Sequence, residues 1–225
     1  RNREPFEMRL YLYRHGSTKG NLERRYVGST DEELLDKSAD EIRRLEVPAA
    51  KRIYVSPMRR CIQTAQLLYP GKPLIVIEEF RECDFGAYEY CNYDQLKGQA
   101  AYQRFIDTFG KCGFPGGEDR DAFQDRCLRG FARLLEQERA CAPLAGKDRE
   151  AIAMVVHGGT IMALLDRYSD PHGDYYDWQI GCGQGFSLDV YEETPRTVNG
   201  RAETKAGQFR FRKIERLFGS QCSGE

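Results

Sequence analysis

The sequence predicts a three-layer α/β/α sandwich, a mainly parallel sheet with helices on both faces and a helical cap insertion. Strand-like and helix-like patterns alternate along the chain, the pattern left by βα units. Two apolar runs, Leu10-Tyr11-Leu12-Tyr13-Arg14 and Ile152-Ala153-Met154-Val155-Val156, each lead into a histidine followed by glycine, His15-Gly16 and His157-Gly158-Gly159. In an open α/β sheet the carboxyl ends of strands are where ligands bind, so two histidines so placed can share one pocket.

Residues 8–13 read as the first strand, and residues 36–45 as a short amphipathic helix that stops before Pro48. Residues 52–55 form the second strand. Ser56-Pro57 then supplies an N-cap and a first-turn proline. Met58, Cys61, Ile62, Ala65 and Leu68 recur at helical spacing behind it, until Pro70-Gly71 ends the helix. Residues 74–77 form a third strand. Residues 93–139 are mostly helical, interrupted at Gly113-Phe114-Pro115-Gly116-Gly117, with a long helix over 121–139. Residues 151–156 form a fourth strand, residues 160–168 a helix after the Gly-Gly turn, and residues 186–191 and 208–214 two late strands. Residues 192–207 and both ends read as mobile. The expected organisation is one domain over 8–215, with a cap insertion at about 85–139 over the pocket and flexible termini at 1–7 and 216–225.

A chain of 225 residues can bury a real core. Its 34 basic and 35 acidic residues nearly cancel, which argues against a nucleic-acid partner held by a basic stripe. No apolar run is long enough for a membrane span. Residues 1–7 lack the apolar core of a secretory leader, and the chain starts at Arg1 rather than Met, so a longer chain is expected. The eight cysteines stand singly with no C-x-x-C spacing, which fits reduced thiols in a cytoplasmic protein rather than a metal site. Neither a metal nor another cofactor is expected. The oligomeric state is left open, because no interface is marked.

Arg14 suggests what the two histidines hold, since a guanidinium fork matches phosphate oxygens and stays charged at physiological pH. In order along the chain follow Asn21, Arg25-Tyr26-Val27-Gly28-Ser29-Thr30-Asp31, Ser56-Pro57-Met58-Arg59-Arg60-Cys61-Ile62-Gln63-Thr64-Ala65 and Phe80-Arg81-Glu82-Cys83-Asp84-Phe85-Gly86. A phosphoryl-transfer transition state spreads negative charge over three oxygens, so catalysis is mainly positioning and electrostatics. Two arginines and a protonated histidine can supply that charge without a metal. A nucleophilic histidine must be neutral, which neighbouring cations favour. A carboxyl with a raised pKa suits protonation of the leaving oxygen and later activation of water. The Ser56-Pro57 helix start adds a dipole that favours an anion near Arg60.

As a set these residues resemble the histidine phosphatase superfamily in its phosphoglycerate-mutase-like branch, over about residues 8–191. The resemblance implies a phosphoglycerate-mutase-like fold and hydrolysis of a small-molecule phosphomonoester through a phosphohistidine formed on His15. It assigns Arg14, Arg60 and His157 to the phosphoryl oxygens and Asn21 to a polar phosphate contact. Gly28 and Gly158 join the phosphate-binding set, and Glu82 is the proton donor. Arg59 is expected as a solvated helix residue and His172 as a loop residue. Arg81 stays open between a surface charge and a substrate contact.

Departures from the family bear on substrate. The stretch between Glu82 and His157 lacks the longer, arginine-bearing insertion of the mutases, and Val27 and Ser29 stand where mutases tend to carry threonine and tryptophan. Phe114-Pro115-Gly116-Gly117-Glu118 resembles the Pro-Gly-Gly-Glu turn of phosphatase members. In Phe85-Gly86-Ala87-Tyr88-Glu89-Tyr90, tyrosines replace the usual tryptophan and the usual glycine, so Tyr90 is expected to reshape the pocket rim. The pattern is most similar to alpha-ribazole phosphatase-like members, and alpha-ribazole 5′-phosphate, a sugar phosphate or a nucleotide is the expected substrate. Tyr88, Tyr90, Tyr93 and Tyr102 either stack on a base or sugar or are plain core. Two alternatives stand beside hydrolysis: mutase-type phosphoryl transfer, and a catalytically weak phosphate-binding module.

Overall fold

The computed structural model describes residues 6–108, 110–141, 151–193, 197–198, 201–202 and 208–218. A six-stranded sheet has the order β3-β2-β4-β1-β5-β8. Its strands are β1 (Glu7–Arg14), β2 (Arg52–Val55), β3 (Leu74–Val76), β4 (Ile152–Val156), β5 (Gly185–Glu192) and β8 (Phe209–Leu217). The first four run parallel. Strands β5 and β8 are joined antiparallel at one edge. Strands β6 (Thr197–Val198) and β7 (Arg201–Ala202) form a separate small ribbon.

Helices cover both faces, as the alternation predicts. The period-two arrangement of β1 sends Leu10 and Leu12 to one core and Tyr13 to the other, while β4, buried on both faces, is apolar throughout. Helices α2 (Asp36–Arg43) and α3 (Arg59–Leu68) pack on the face of Tyr13, Ile53, Val55 and Val155. Helices α6 (Arg120–Ala140) and α7 (Gly158–Tyr168) pack on the face of Leu10, Leu12, Met154 and Val156. The one-turn helices α1 (Lys19–Leu22) and α4 (Tyr93–Leu96), with α5 (Ala100–Asp107), complete the set. Between β3 and α6 the chain builds a satellite core in which Tyr88, Leu96 and Tyr102 are buried against Tyr26, Phe105 and Phe114. Tyr88 and Tyr102 are therefore core, and Tyr93 is exposed.

Several boundaries differ from the expectation. Helix α3 begins at Arg59 with Met58 in the cap position, so Ser56 is not its N-cap. The Gly-Gly pair is the first turn of α7 rather than a turn before it. Phe6 is buried and Leu217 belongs to β8, so the ordered fold extends past both expected flexible ends. Of the segment expected to be mobile, Glu192 pairs with Phe209 and the β6–β7 ribbon is formed. Residues 194–196, 199–200 and 203–207 lie outside the described residues, as does Cys222.

Candidate active site

The register of the central strand pair assembles the site. Arg14 lies opposite Val156, so the next residue on each strand, His15 and His157, leaves the sheet at the same point. The His15 amide donates to the Val156 carbonyl at 3.0 Å. The two rings sit with centroids 5.1 Å apart, and both are buried. His15 Nδ1 donates to the Gly16 carbonyl at 2.7 Å, which assigns the proton to Nδ1 and leaves Nε2 with a lone pair. Gly16 lets α2 approach closely, since a Cβ would lie 2.4 Å from Ile42 Cδ1 and push that side chain aside.

His157 is held by groups remote in sequence. Ser56 Oγ lies 2.8 Å from its Nε2, and the Cys61 thiol lies 3.5 Å from the same atom. Its Nδ1 faces Glu82 Oε2 at 3.9 Å. Gly159 makes room for that carboxyl, because a Cβ there would meet Glu82 Oε1 at 2.7 Å.

Two guanidinium groups supply positive charge. Arg60 is fully buried, and its terminal nitrogens donate to the carbonyls of Thr30 (2.9 Å), Gly28 (3.1 Å) and Val27 (3.3 Å). Arg14 donates to the Ile180 carbonyl at 2.6 Å and lies over Gly158, where a Cβ would be 3.4 Å from its Cζ. The Nε of each arginine is buried without a hydrogen-bond partner among the described residues. A buried cation with carbonyl partners and an orphaned donor is costly unless an anion completes it.

The electrostatics follow from burial. Desolvation, then Arg60 and Arg14, hold His15 well below the usual histidine range. Desolvation, Arg60, His15 and Arg14 do the same to His157. Burial and the neighbouring cations thus oppose protonation of His157 and leave the permanent positive charge to the guanidinium groups. Burial raises Glu82, against the opposing pull of the Cys83 amide and the site arginines.

The remaining predicted residues divide. The Gly28 amide donates to Glu89 at 2.9 Å and its carbonyl accepts from Arg60, so Gly28, expected in the phosphate-binding set, helps build the Arg60 cradle. Asn21 caps α1 through Thr18, and its Oδ1 also lies 3.6 Å from the Cys182 thiol. Arg59 is exposed and pairs with Glu33, and Arg81 pairs with Glu78, so both are surface charges. His172 is an exposed loop residue. Tyr90 packs its ring under Arg25 and donates its hydroxyl to Glu32 at 2.6 Å.

Sequence reasoning missed three residues. Glu89 receives the Gly28 amide and both the amide (2.9 Å) and hydroxyl (2.7 Å) of Thr30, fixing the loop whose carbonyls hold Arg60. Arg126 binds the segment that carries Glu82. Tyr175 packs with Cys83, Phe123 and Cys127 near Glu82, and burial together with that carboxylate pushes its phenol up. A glutamate or arginine on a helical or loop segment gives no signal in sequence; only the Phe-Gly-x-Tyr-Glu pattern around Glu89 offered one. Among the described residues no group of three His, Cys, Asp or Glu is placed to hold a metal ion, and no helix is long and apolar enough to cross a membrane.

Residues 10–200 match the profile of the histidine phosphatase superfamily, branch 1. A phosphoglycerate mutase-like protein of Arabidopsis thaliana is 28% identical over 70% of this chain and 70% of its own length. An adenosylcobalamin/alpha-ribazole phosphatase of Salmonella typhimurium is 26% identical over 87% of this chain and 98% of its own length. Among solved structures, the alpha-ribazole phosphatase of Shigella flexneri superposes with a TM-score of 0.68 at 22% identity, covering 88% of this chain and 95% of that one.

Proposed function

Because the chain belongs to branch 1 of the histidine phosphatase superfamily, whose members here are named for phosphoryl hydrolysis or transfer, we propose that it is a phosphomonoester hydrolase working through a phosphohistidine on His15. The observation that carries the reading is the paired His15 and His157 beside the half-buried Arg14 and the buried Arg60, whose buried Nε donors have no partner among the described residues.

In this reading the phosphoryl oxygens sit between Arg14, Arg60 and His157, with the Gly158 amide at the start of α7 and Asn21 at the lip. His15 Nε2 attacks phosphorus as the ester P–O bond breaks. Glu82, whose affinity for a proton is raised by burial, gives that proton to the leaving oxygen. The resulting carboxylate takes a proton from water, whose oxygen attacks phosphorus as the P–N bond breaks, freeing phosphate and His15 Nε2. Charge stabilisation comes from guanidinium groups, so the reaction is proposed to need neither metal nor cofactor. The substrate is a small phosphorylated metabolite such as alpha-ribazole 5′-phosphate, a sugar phosphate or a nucleotide.

The test measures phosphate release in excess chelator from those substrates, an aryl phosphate and 3-phosphoglycerate, with His15→Ala as control. Release that survives chelator and disappears in His15→Ala supports the proposal. Bisphosphate-primed isomerisation of 3-phosphoglycerate without net release assigns a mutase instead, and inactivity in both assays assigns a binding module.

A further inference from the structure

Arg126 lies on α6, outside the cluster of groups that meets the phosphoryl oxygens. All five of its guanidinium N–H donors are engaged. Nε and Nη2 grip the Glu118 carboxylate at 2.8 and 2.6 Å as a fork. Nη1 donates to the carbonyls of Glu79 (2.8 Å) and Arg81 (2.9 Å), and Nη2 to that of Glu82 (3.2 Å). Three carbonyls of the segment that carries Glu82 therefore hang on one side chain. Glu118 closes the arrangement from the other side: its amide donates to the Asp84 carbonyl at 2.9 Å, and its carboxylate accepts from the Asp84 amide at 3.1 Å. Gly117 lets the two segments touch, since a Cβ there would lie 2.2 Å from the Asp84 carbonyl oxygen.

No regular element holds the Glu82 segment: residues 81–85 are neither helix nor strand, and only a 3-10 turn (Glu78–Phe80) precedes them. A general acid on irregular backbone needs an external frame to stay within reach of the leaving oxygen. Resting on the reading of Glu82 as that acid, we propose that the Arg126–Glu118 pair is the positioning device that aims Glu82 at the leaving group. In this role Arg126 acts through the backbone that carries Glu82.

That mode of action has a signature which loss of fold does not imitate. A step that depends on Glu82 matters for an alkyl phosphate, whose leaving alkoxide needs a proton, and little for p-nitrophenyl phosphate, whose phenolate leaves without one. The experiment measures kcat/KM for both ester types in Arg126→Gln, Arg126→Lys, Glu118→Gln, Glu82→Gln and the double variant Arg126→Gln/Glu82→Gln, with thermal unfolding to identify folded proteins. General-acid catalysis contributes about a hundredfold or more. Arg126→Gln is expected to lose at least about tenfold on the alkyl ester and under about threefold on the aryl ester, and to add nothing to Glu82→Gln. Arg126→Lys, a folded alternative should Arg126→Gln unfold, keeps the charge but loses the fork and is expected to show the same selective loss. Equal losses on both esters, or additive losses in the double variant, overturn the proposal while leaving Glu82 as the acid. If Glu82→Gln itself treats both esters alike, the reading of Glu82 fails and the positioning role falls with it.

Discussion

Ser56 and His157 meet at 2.8 Å across 101 residues of chain, hydroxyl oxygen to Nε2. The serine is not the N-cap of α3, and its hydroxyl instead fixes the orientation of the imidazole. Ser56→Ala leaves the buried Nε2 with only the weaker Cys61 thiol at 3.5 Å, and loss of a buried partner costs about 1–3 kcal/mol. We expect kcat/KM on an aryl phosphate to fall roughly 5- to 150-fold, with unfolding still cooperative. An unchanged rate would assign the contact to folding alone.

The two buried histidines make the fold sensitive to acid. Their pKa values are depressed from 6.5, so below pH 6.5 the unfolded chain binds protons that the native site refuses. Stability therefore rises with pH between the depressed native values and 6.5, and falls as pH drops through that window. Urea midpoints measured at pH 7.5 and pH 5 should fall in the native protein, and the fall should be smaller in a folded His157→Asn variant.

Glu82 has the opposite sign. Its native pKa lies above 4.5, so the neutral carboxyl favours the fold below that value and the advantage disappears as pH rises through the native pKa. At neutral pH the buried carboxylate opposes folding. Glu82→Gln should raise the melting temperature at pH 7 more than at pH 4, and slow alkyl phosphate hydrolysis. A lower melting temperature at pH 7 would contradict the burial argument.

Glu89 controls Arg60 from a distance. Glu89→Leu removes the Oε1 that accepts from the Gly28 amide and from the amide and hydroxyl of Thr30, and the Val27–Thr30 carbonyls that hold Arg60 lose their anchor. The expected loss in kcat/KM is about tenfold, near the middle of the range for an unsatisfied buried group. It should appear with both alkyl and aryl esters, in contrast to the Arg126 variants, because Arg60 serves the phosphoryl group and not the leaving group.

Tyr90 occupies a left-handed backbone conformation at φ 62°, where the family pattern has glycine. The strain costs on the order of 1 kcal/mol, and the hydroxyl bond to Glu32 opposes it. Tyr90→Phe should destabilise, by losing the bond and keeping the strain. Tyr90→Gly loses the bond, the ring and the strain together, and is expected to melt closer to the native protein than Tyr90→Phe does. Differential scanning calorimetry of the three proteins distinguishes them.

The sheet, its central histidines and the alternation of helices were legible because they rest on local signals: period-two apolar runs, Gly-Gly punctuation and helical spacing. Helix α3 was found, but its start was displaced, because Ser56 found a stronger partner across the sheet than its own helix offered. The role of Arg126 was not legible, and that of Glu89 was marked only by the motif around it. Their roles lie in donors and acceptors that meet only after the segments before and after them have packed, and an isolated Arg or Glu carries no mark of that. The lowered pKa of His157 was hidden for a related reason: sequence shows the neighbouring cations but not the depth of burial, and burial is its largest cause.

The Arg14–Val156 register has a meaning for folding as well as for geometry. His15 and His157 are each the first residue beyond a paired strand, contributed by opposite halves of the chain. Sliding one strand by a single residue against the other would turn its core side chains outward and draw the histidines apart. Turnover thus reads the alignment of the two innermost strands, and regain of activity during refolding would time the joining of the amino-terminal and carboxy-terminal halves.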